Sequence, residues 1–501
     1  MKGGTESRRP LTSPAEAVDK EAIRAFDGMK VLVFGLGILG GGVAAANWLL
    51  RHGARVTVTD LKTEAELAVS LGRLEKPVRL KLGGHDETDV KKCDLVLFNP
   101  DIPAGSRFVV LARGLGKRVE NEATLFYRLC RLPIVAVTGT RGKTTTCAWI
   151  EHFLKACSIP IPAGNSPTNP FMHTLQLLEE DSDVKPSGGD DRTRIVVNEL
   201  PSYHLEYFGP GNRGPDIALV TNIYRDHLNR HTSMEEYADT KANIFRQQTE
   251  EQTLILNRES AWSAFLGQRV SRQRQLFFST SPLPAAAAGL YHEKGRARYR
   301  APGSSSDAAV LETGGFAKKR GAHNLENLLA SALTAYRAGA CWSGIQSALE
   351  TVPEIAFRQE VVFKDDRLTV INDNAATSPD GCMAAVNRFG GGRCILIAGG
   401  TDRELDYTGW ADTVNRLISR RNLIFLEGSA TEKMLSALAG SAERPNIHPT
   451  LAACFDAALE RAGNYRGATI VFSPGAKSFE KFDNEFERGR VFNEIVEERL
   501  G

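Results

Sequence analysis

Residues 134–146 read Ile-Val-Ala-Val-Thr-Gly-Thr-Arg-Gly-Lys-Thr-Thr-Thr, and this stretch decides the fold. A short run of β-branched and small apolar residues, broken at once by two glycines and a lysine, describes a buried strand ending in a phosphate loop. Gly139 and Gly142 let backbone N–H groups wrap phosphate oxygens, Lys143 neutralises them, and the Thr144 hydroxyl can reach Mg²⁺. Thr140, Arg141 and Thr145 complete the expected phosphate-binding segment. The loop is short, since full Walker spacing would put Gly at 137, where Val stands. The segment TTCAWIEHFLKAC that follows is compatible with a helix, which is the context the motif demands.

Outward from this loop the same grammar repeats. KVLVF (30–34), RVTVT (55–59), DLVLF (94–98), RIVVNEL (194–200), IALVTN (217–222) and TLILN (253–257) are further strand candidates separated by helical stretches. LTVIND (368–373), CILIAGG (394–400), LIFLEG (423–428) and ATIVFSPG (468–475) form a later set. Near-continuous apolar runs of this kind suit parallel strands covered on both faces, so the fold class is α/β. HNLENLLASALTAYRAG reads as a helix closed by Gly339. Residues 182–194 and 281–320 read as loops or excursions, from their Gly, Ser, Pro and charge content. No repeat is evident, and three α/β units meet near residues 121 and 355.

Composition bounds the function. At roughly 150 residues per domain, 501 residues suggest about three domains. Lys plus Arg (62) against Asp plus Glu (60) leaves +2, too little for a broad field attracting nucleic acid or an anionic membrane. No apolar run approaches a membrane span, and the first 22 residues lack a signal-peptide core, reading instead as a mobile polar extension. The 8 cysteines are scattered without a CxxC pair, so the expectation is a cytoplasmic chain with neither disulfides nor zinc.

A second glycine turn, Gly35-Leu36-Gly37-Ile38-Leu39-Gly40, follows KVLVF, and the next strand ends at Asp60. The glycines permit close approach of backbone to a diphosphate, and Asp60 stands where a carboxylate can accept from a ribose hydroxyl. Taken alone this fingerprint points to NAD, although any nucleotide diphosphate satisfies the same physics. Two nucleotide-type loops in successive units speak against a simple dehydrogenase. One site can hold a nucleotide-linked substrate while the other holds ATP. Past two strand ends come Asn198-Glu199-Leu200 and Arg225-Asp226-His227, in the ligand crevice of a parallel sheet. Glu199 with Thr144 makes a candidate Mg²⁺ site, and His227 a candidate metal or phosphate ligand. Lys241, by itself, reads as a solvated helix residue.

The combination VTGTRGKTT, NEL (198–200), TNIYRDHLNRH (221–231), YADTKANIF with Lys241, GAHNLENLLAS (321–331), Arg358, IND (371–373) and SPGAKSFEKFDNEFERG (473–489) resembles the Mur ligase family, and within it the glutamate-adding members. The resemblance runs from about residue 30 to the end. It implies a Rossmann-like UDP-substrate domain with a polar extension (1–121), a central P-loop ATPase domain (122–355) and a C-terminal Rossmann-like amino-acid domain (356–501). It recasts Gly37, Ile38, Leu39 and Asp60 as UDP-substrate contacts, joined by Asn99 and Asn165. Asn324 and Asn327, on one helix face, match residues that hold adenine, and Arg358 and Asp373 join the ATP site. Lys241 matches a lysine carbamylated by CO₂ to support a second Mg²⁺ beside His227, so Lys143, His227, Lys241 and Arg358 form the catalytic set. Thr377, Arg403, Ser478 and Phe479 match glutamate contacts.

The implied reaction activates a carboxylate of a UDP-N-acetylmuramoyl-alanine substrate with ATP, through an acyl phosphate that the amine of glutamate then attacks. The expected state is a monomer acting on small molecules in peptidoglycan precursor synthesis. The pattern departs at Ala375, where the subfamily carries Lys, and at Arg403, where it usually has Lys. Arg141, His204 and Pro201 replace a usual Asn, Gln and Ser. A ligase for L-glutamate or another amino acid, and a silent nucleotide-binding homologue, stay open beside the main reading.

Overall fold

The computed structural model describes residues 11–12, 14, 16–159, 163–164, 169–183, 194–227, 230–270, 274–438 and 446–501. The chain divides into two compact units, residues 1–352 and 353–501.

The first unit carries two sheets. One is wholly parallel, in the order Arg79–Leu82, Arg55–Asp60, Lys30–Phe34, Leu95–Phe98, Arg118–Glu120. Lys30–Phe34 lies at its centre, and the strand order reverses there, so the Gly35 turn opens into the crevice where such sheets bind ligands. The other sheet has nine strands. Its parallel part runs Ala163–Gly164, Val196–Glu199, Ile134–Thr138, Ile217–Val220, Thr253–Asn257, Arg274–Ser279, Gly289–Glu293. All five residues of Ile134–Thr138 are buried, as a central strand sandwiched between helices requires. Each fully buried Val or Ile there contributes roughly 1.5–3 kcal/mol relative to exposure. The helix Lys143–Ala156 packs Trp149, Ile150 and Phe153 into one core with Leu328, Leu329 and Leu333 of the helix Ala322–Arg337.

One sequence expectation fails here. The 281–320 tract, expected as loops or excursions, carries three strands among its turns: Gly289–Glu293, Arg296–Arg300 and Ala308–Glu312 extend the sheet, the last two antiparallel. Lys294 and Gly295 both have positive φ, the geometry of a tight hairpin turn. In RARYR the small and aromatic positions face inward while the arginines pair outward, with Arg298 and Arg300 both bonding Asp307. Most of 182–194, expected as loop, lies outside the described residues, as do the first ten residues.

The second unit is one six-stranded sheet in the order Glu360–Lys364, Leu368–Asn372, Ala468–Phe472, Cys394–Gly399, Leu423–Leu426, Asn446–His448. Only the first pairing is antiparallel. The loops after Leu368–Asn372, Cys394–Gly399 and Ala468–Phe472 therefore emerge side by side at one sheet edge. Among the described residues no helix is long and apolar enough to cross a membrane. None of the eight cysteines is in a disulfide.

Candidate active site

The phosphate loop is held by the neighbouring strand end. Thr140 N–H donates to Asn222 O, Arg141 N–H donates to Asn222 Oδ1 at 2.9 Å, and the Thr221 hydroxyl donates to Arg141 O at 2.7 Å. Gly139 (φ +143) and Gly142 (φ +80) occupy backbone conformations that favour glycine. A Cβ at 139 would sit 1.9 Å from Thr221 Oγ1, and one at 142 would sit 2.3 Å from Asn327 Oδ1. The two glycines are thus fixed by packing as well as by φ.

Gly142 precedes the helix Lys143–Ala156, so the phosphate-facing residues stand on its first turn. The Thr144 hydroxyl donates to Glu199 Oε2 at 2.8 Å, and Lys143 Nζ lies 3.8 Å from Glu199 Oε1. Asn327 and Asn324 share one helix face, joined at 3.0 Å. Asn327 also touches the Thr146 hydroxyl, which brings the expected adenine pair beside the phosphate loop.

Lys241 departs from its solvated reading. It is 1% exposed, and its Nζ donates to Gly139 O at 3.1 Å while lying 4.6 Å from the centre of the Tyr237 ring. Burial, reinforced by the Lys143 charge, holds its ammonium well below the usual lysine range. His227 has φ +56, and its Nδ1 shares a 2.7 Å hydrogen bond with the Tyr203 hydroxyl. Asp226 pairs with Arg141 at 3.0 Å and lies 3.7 Å from His227 Nε2. Among the described residues no three His, Cys, Asp or Glu side chains cluster as a resident metal site. The Thr144–Glu199 pair offers oxygen donors of the kind that Mg²⁺ accepts together with phosphate and water.

At the Gly35 turn, Asp60 is 7% exposed, and its two oxygens accept from the N–H groups of Gly37 (3.1 Å) and Lys62 (2.9 Å). Its carboxylate shapes the turn as well as lining it. Asn99 Nδ2 donates to Gly35 O, and Ile38 and Leu39 are exposed at the mouth. Asn165 lies outside the described residues.

In the second unit, Asp373 is buried, with Oδ2 accepting from the Ser473 hydroxyl at 2.7 Å and Oδ1 from Gln359 N–H at 3.1 Å. Burial pushes its pKa up to about 7. Ser478 is 3% exposed, and its hydroxyl has no hydrogen-bond partner among the described residues. The Arg403 guanidinium lies 5.5 Å from the ring centre of the exposed Phe479. Thr377 is half-buried on the loop beyond Asp373.

Sequence reasoning assigned no role to Asn222, Tyr203, Tyr237 or Arg488. Tyr237 stands four residues before Lys241, so helical spacing alone could have paired them. Arg488 is fully buried and donates to Asn374 Oδ1 and to the carbonyls of Ala476 and Lys477. It ties together the loops carrying Thr377 and Ser478.

Residues 137–335 match the Mur ligase middle domain, and residues 29–119 match the Mur ligase MurD-like N-terminal domain. A UDP-N-acetylmuramoylalanine–D-glutamate ligase of Roseiflexus sp. is 34% identical over 491 residues, covering 94% of this chain and 98% of its own. The chain belongs to the Mur ligase family. A second Mur ligase of the same name, from Borreliella afzelii, is 31% identical and covers 94% of this chain and 98% of its own. Solved Mur ligases share the fold at low identity. UDP-N-acetylmuramate-alanine ligase MurC of Thermotoga maritima superposes with TM-score 0.54 at 18% identity, covering 94% of this chain and 100% of its own. MurF ligase of Thermotoga maritima, in complex with ADP, gives 0.53 at 15% identity, covering 98% of this chain and 99% of its own.

Proposed function

We propose that this Mur ligase joins D-glutamate to the alanyl carboxyl of UDP-N-acetylmuramoyl-L-alanine at the expense of ATP, in cytoplasmic peptidoglycan precursor synthesis. Near-full-length likeness to relatives named for that reaction supports the substrates. The observation that carries the chemistry is the phosphate loop facing the Thr144–Glu199 pair, with the buried Lys241 amine behind Gly139.

A carboxylate resists attack by an amine because it is anionic and its oxygen leaves poorly. Transfer of the γ-phosphoryl group to that carboxylate removes both obstacles, and the glutamate amine then displaces phosphate from the acyl phosphate. The protein contributes positioning and charge rather than covalent chemistry. Lys143 and the N–H groups freed by Gly139 and Gly142 hold phosphate oxygens. Thr144, Glu199, His227 and a carbamylated Lys241 would hold two Mg²⁺ ions, which when bound neutralise the charge of the transferring phosphoryl group. Lys241 suits carbamylation because burial favours the neutral form of its amine, whose lone pair can bond CO₂ carbon as a proton leaves. Asn324 and Asn327 are assigned to adenine, and Gly37, Ile38, Leu39, Asp60, Asn99 and Asn165 to the UDP-linked substrate. Arg358 and Asp373 are assigned to ATP, and Thr377, Arg403, Ser478 and Phe479 to the amino acid. The Arg403 fork can hold a side-chain carboxylate through two parallel N–H bonds.

The test is phosphate release with ATP, Mg²⁺ and UDP-N-acetylmuramoyl-L-alanine across a panel of D- and L-amino acids. Release with D-glutamate alone supports the proposal. Release with a diamino acid and neither glutamate enantiomer contradicts it.

A further inference from the structure

Away from the phosphate loop, at the far end of its helix, two thiols meet. Cys157 ends the helix Lys143–Ala156, and its Sγ lies 3.8 Å from Sγ of Cys341, 184 residues later in the chain. Cys341 is exposed and Cys157 half-buried. The pocket that accommodates them depends on one residue. A Cβ at Gly344 would fall 2.4 Å from Cys157 Sγ and 3.2 Å from Cys341 Sγ, so any larger residue there would force the thiols to move.

The local chemistry separates this pair from the rest. Cys341 Sγ lies 3.3 Å from the Ser343 hydroxyl and accepts from Gly344 N–H at 3.4 Å. Those contacts favour its thiolate and hold its pKa below the usual thiol range. The other six cysteines are buried, and burial drives each of those thiols up: Cys93 to about 11, and Cys130, Cys382, Cys394 and Cys454 to about 12, with Cys147 raised as well. Thiolate character and exposure together govern thiol–disulfide exchange, and Cys341 is the exposed thiol whose contacts favour the thiolate.

We propose that Cys157 and Cys341 form a reversible redox-modification site that takes low-molecular-weight disulfides of the glutathione type. The Cys341 thiolate attacks one sulfur of the disulfide, forming a mixed disulfide and expelling one thiolate. Cys157, as the resolving thiol, then attacks the Cys341 sulfur and expels the second thiolate. Two protein thiols are oxidised, one external disulfide is reduced, and the two protons pass to the released thiolates. The resulting bond links the end of the helix Lys143–Ala156 to the segment preceding the helix Trp342–Ala348, closing a long loop of chain. Such a closure stabilises mainly by restricting the unfolded chain. The phosphate loop sits at the other end of a 14-residue helix, about 21 Å away at 1.5 Å per residue, so the bond braces the fold without gating turnover.

The experiment treats the reduced full-length protein with oxidised glutathione, followed by non-reducing peptide mass spectrometry and thermal unfolding. The expected result is a Cys157–Cys341 cross-link forming before any other thiol reacts, a raised Tm reversed by dithiothreitol, and unchanged ligase turnover. In Cys157→Ser the reaction should stop at glutathione on Cys341. In Gly344→Ala, whose new methyl group contests the space of Cys157 Sγ, cross-linking should slow. A glutathione adduct that persists on Cys341 of the parent protein, first reaction at another cysteine, or an unchanged Tm after cross-linking overturns the proposal. Because this readout needs no substrate, its failure is distinguishable from failure of the ligase reading.

Discussion

Replacing Lys241 by Met separates a functional lysine from a structural one. Met keeps the length of the side chain and removes the amine. In the structure that amine is 1% exposed, donates one hydrogen bond to the neutral Gly139 carbonyl at 3.1 Å, and has no carboxylate within ion-pair distance among the described residues. The lost hydrogen bond costs about 1 kcal/mol. Against it stands the desolvation of an ionisable group, whose effective penalty is several kcal/mol per ion. Lys241→Met should therefore stabilise the metal-free protein by about 1 kcal/mol or more, raising Tm by about 2 °C. The pH dependence carries a sign. Because the folded state holds the Lys241 amine below its usual range, the unfolded chain binds the extra proton, and parent stability rises with pH toward the unfolded lysine value. Lys241→Met should lose that slope. Turnover should fall on the order of a hundredfold or more, since a metal-supporting charge beside the phosphates is gone. The assays are thermal unfolding from pH 6 to 9 in bicarbonate-free buffer, and phosphate release at saturating substrates. A variant that is less stable than the parent and retains its turnover would refute this reasoning and make Lys241 a structural residue.

Three further outcomes follow from the same geometry. Gly142→Ala forces a non-glycine residue to φ +80, costing roughly 1–2 kcal/mol, and drives its methyl toward Asn327 Oδ1, so KM for ATP should rise while KM for the amino acid stays unchanged in steady-state kinetics. Thr144→Val removes the hydroxyl that donates to Glu199 at 2.8 Å, a charge-assisted bond worth about 1.5–3 kcal/mol, and the Mg²⁺ concentration for half-maximal rate should rise on the order of tenfold. For Asp373, the folded pKa of about 7 lies above the ordinary 3.8, so its contribution to stability is fully present below about pH 4 and lost as pH rises through about 7. Melting curves of Asp373→Asn should therefore gain on the parent between those limits, by a few kcal/mol at most, and parallel curves would contradict the assigned burial.

The phosphate loop was legible because two independent signals coincide there: a run that only a covered strand tolerates, and glycines that only a close approach explains. The Thr144–Glu199 pairing was legible for a related reason, as strand-end position in a parallel sheet predicts which side chains share a crevice. Lys241 was not. Its helix reads Met-Glu-Glu-Tyr-Ala-Asp-Thr-Lys-Ala, a polar string in which the Lys241 amine is covered by the loop at Gly139, a contact across 102 residues of chain. Local pattern carries no record of such a partner, and only the family resemblance pointed to it. Of the strands between 289 and 312, Arg296–Arg300 is hidden by outward arginines that dilute its apolar alternation, and Gly289–Glu293 and Ala308–Glu312 hold too few β-branched residues to register. Edge strands such as Arg118–Glu120 and Asn446–His448 are three residues long, too short for any period to register. Arg488 was invisible for the same reason as Lys241: an arginine on a charged helix gives no hint that it is wholly buried among carbonyls.

The central claim is that this chain activates a carboxylate by phosphoryl transfer before forming an amide bond. It is tested most directly by supplying UDP-N-acetylmuramoyl-L-alanine whose carboxylate carries heavy oxygen, with ATP, Mg²⁺ and D-glutamate, and locating the label by mass spectrometry. The account predicts one labelled oxygen in the released phosphate and one retained in a product enlarged by a glutamyl residue. Unlabelled phosphate, or phosphate released without an enlarged product, would contradict it.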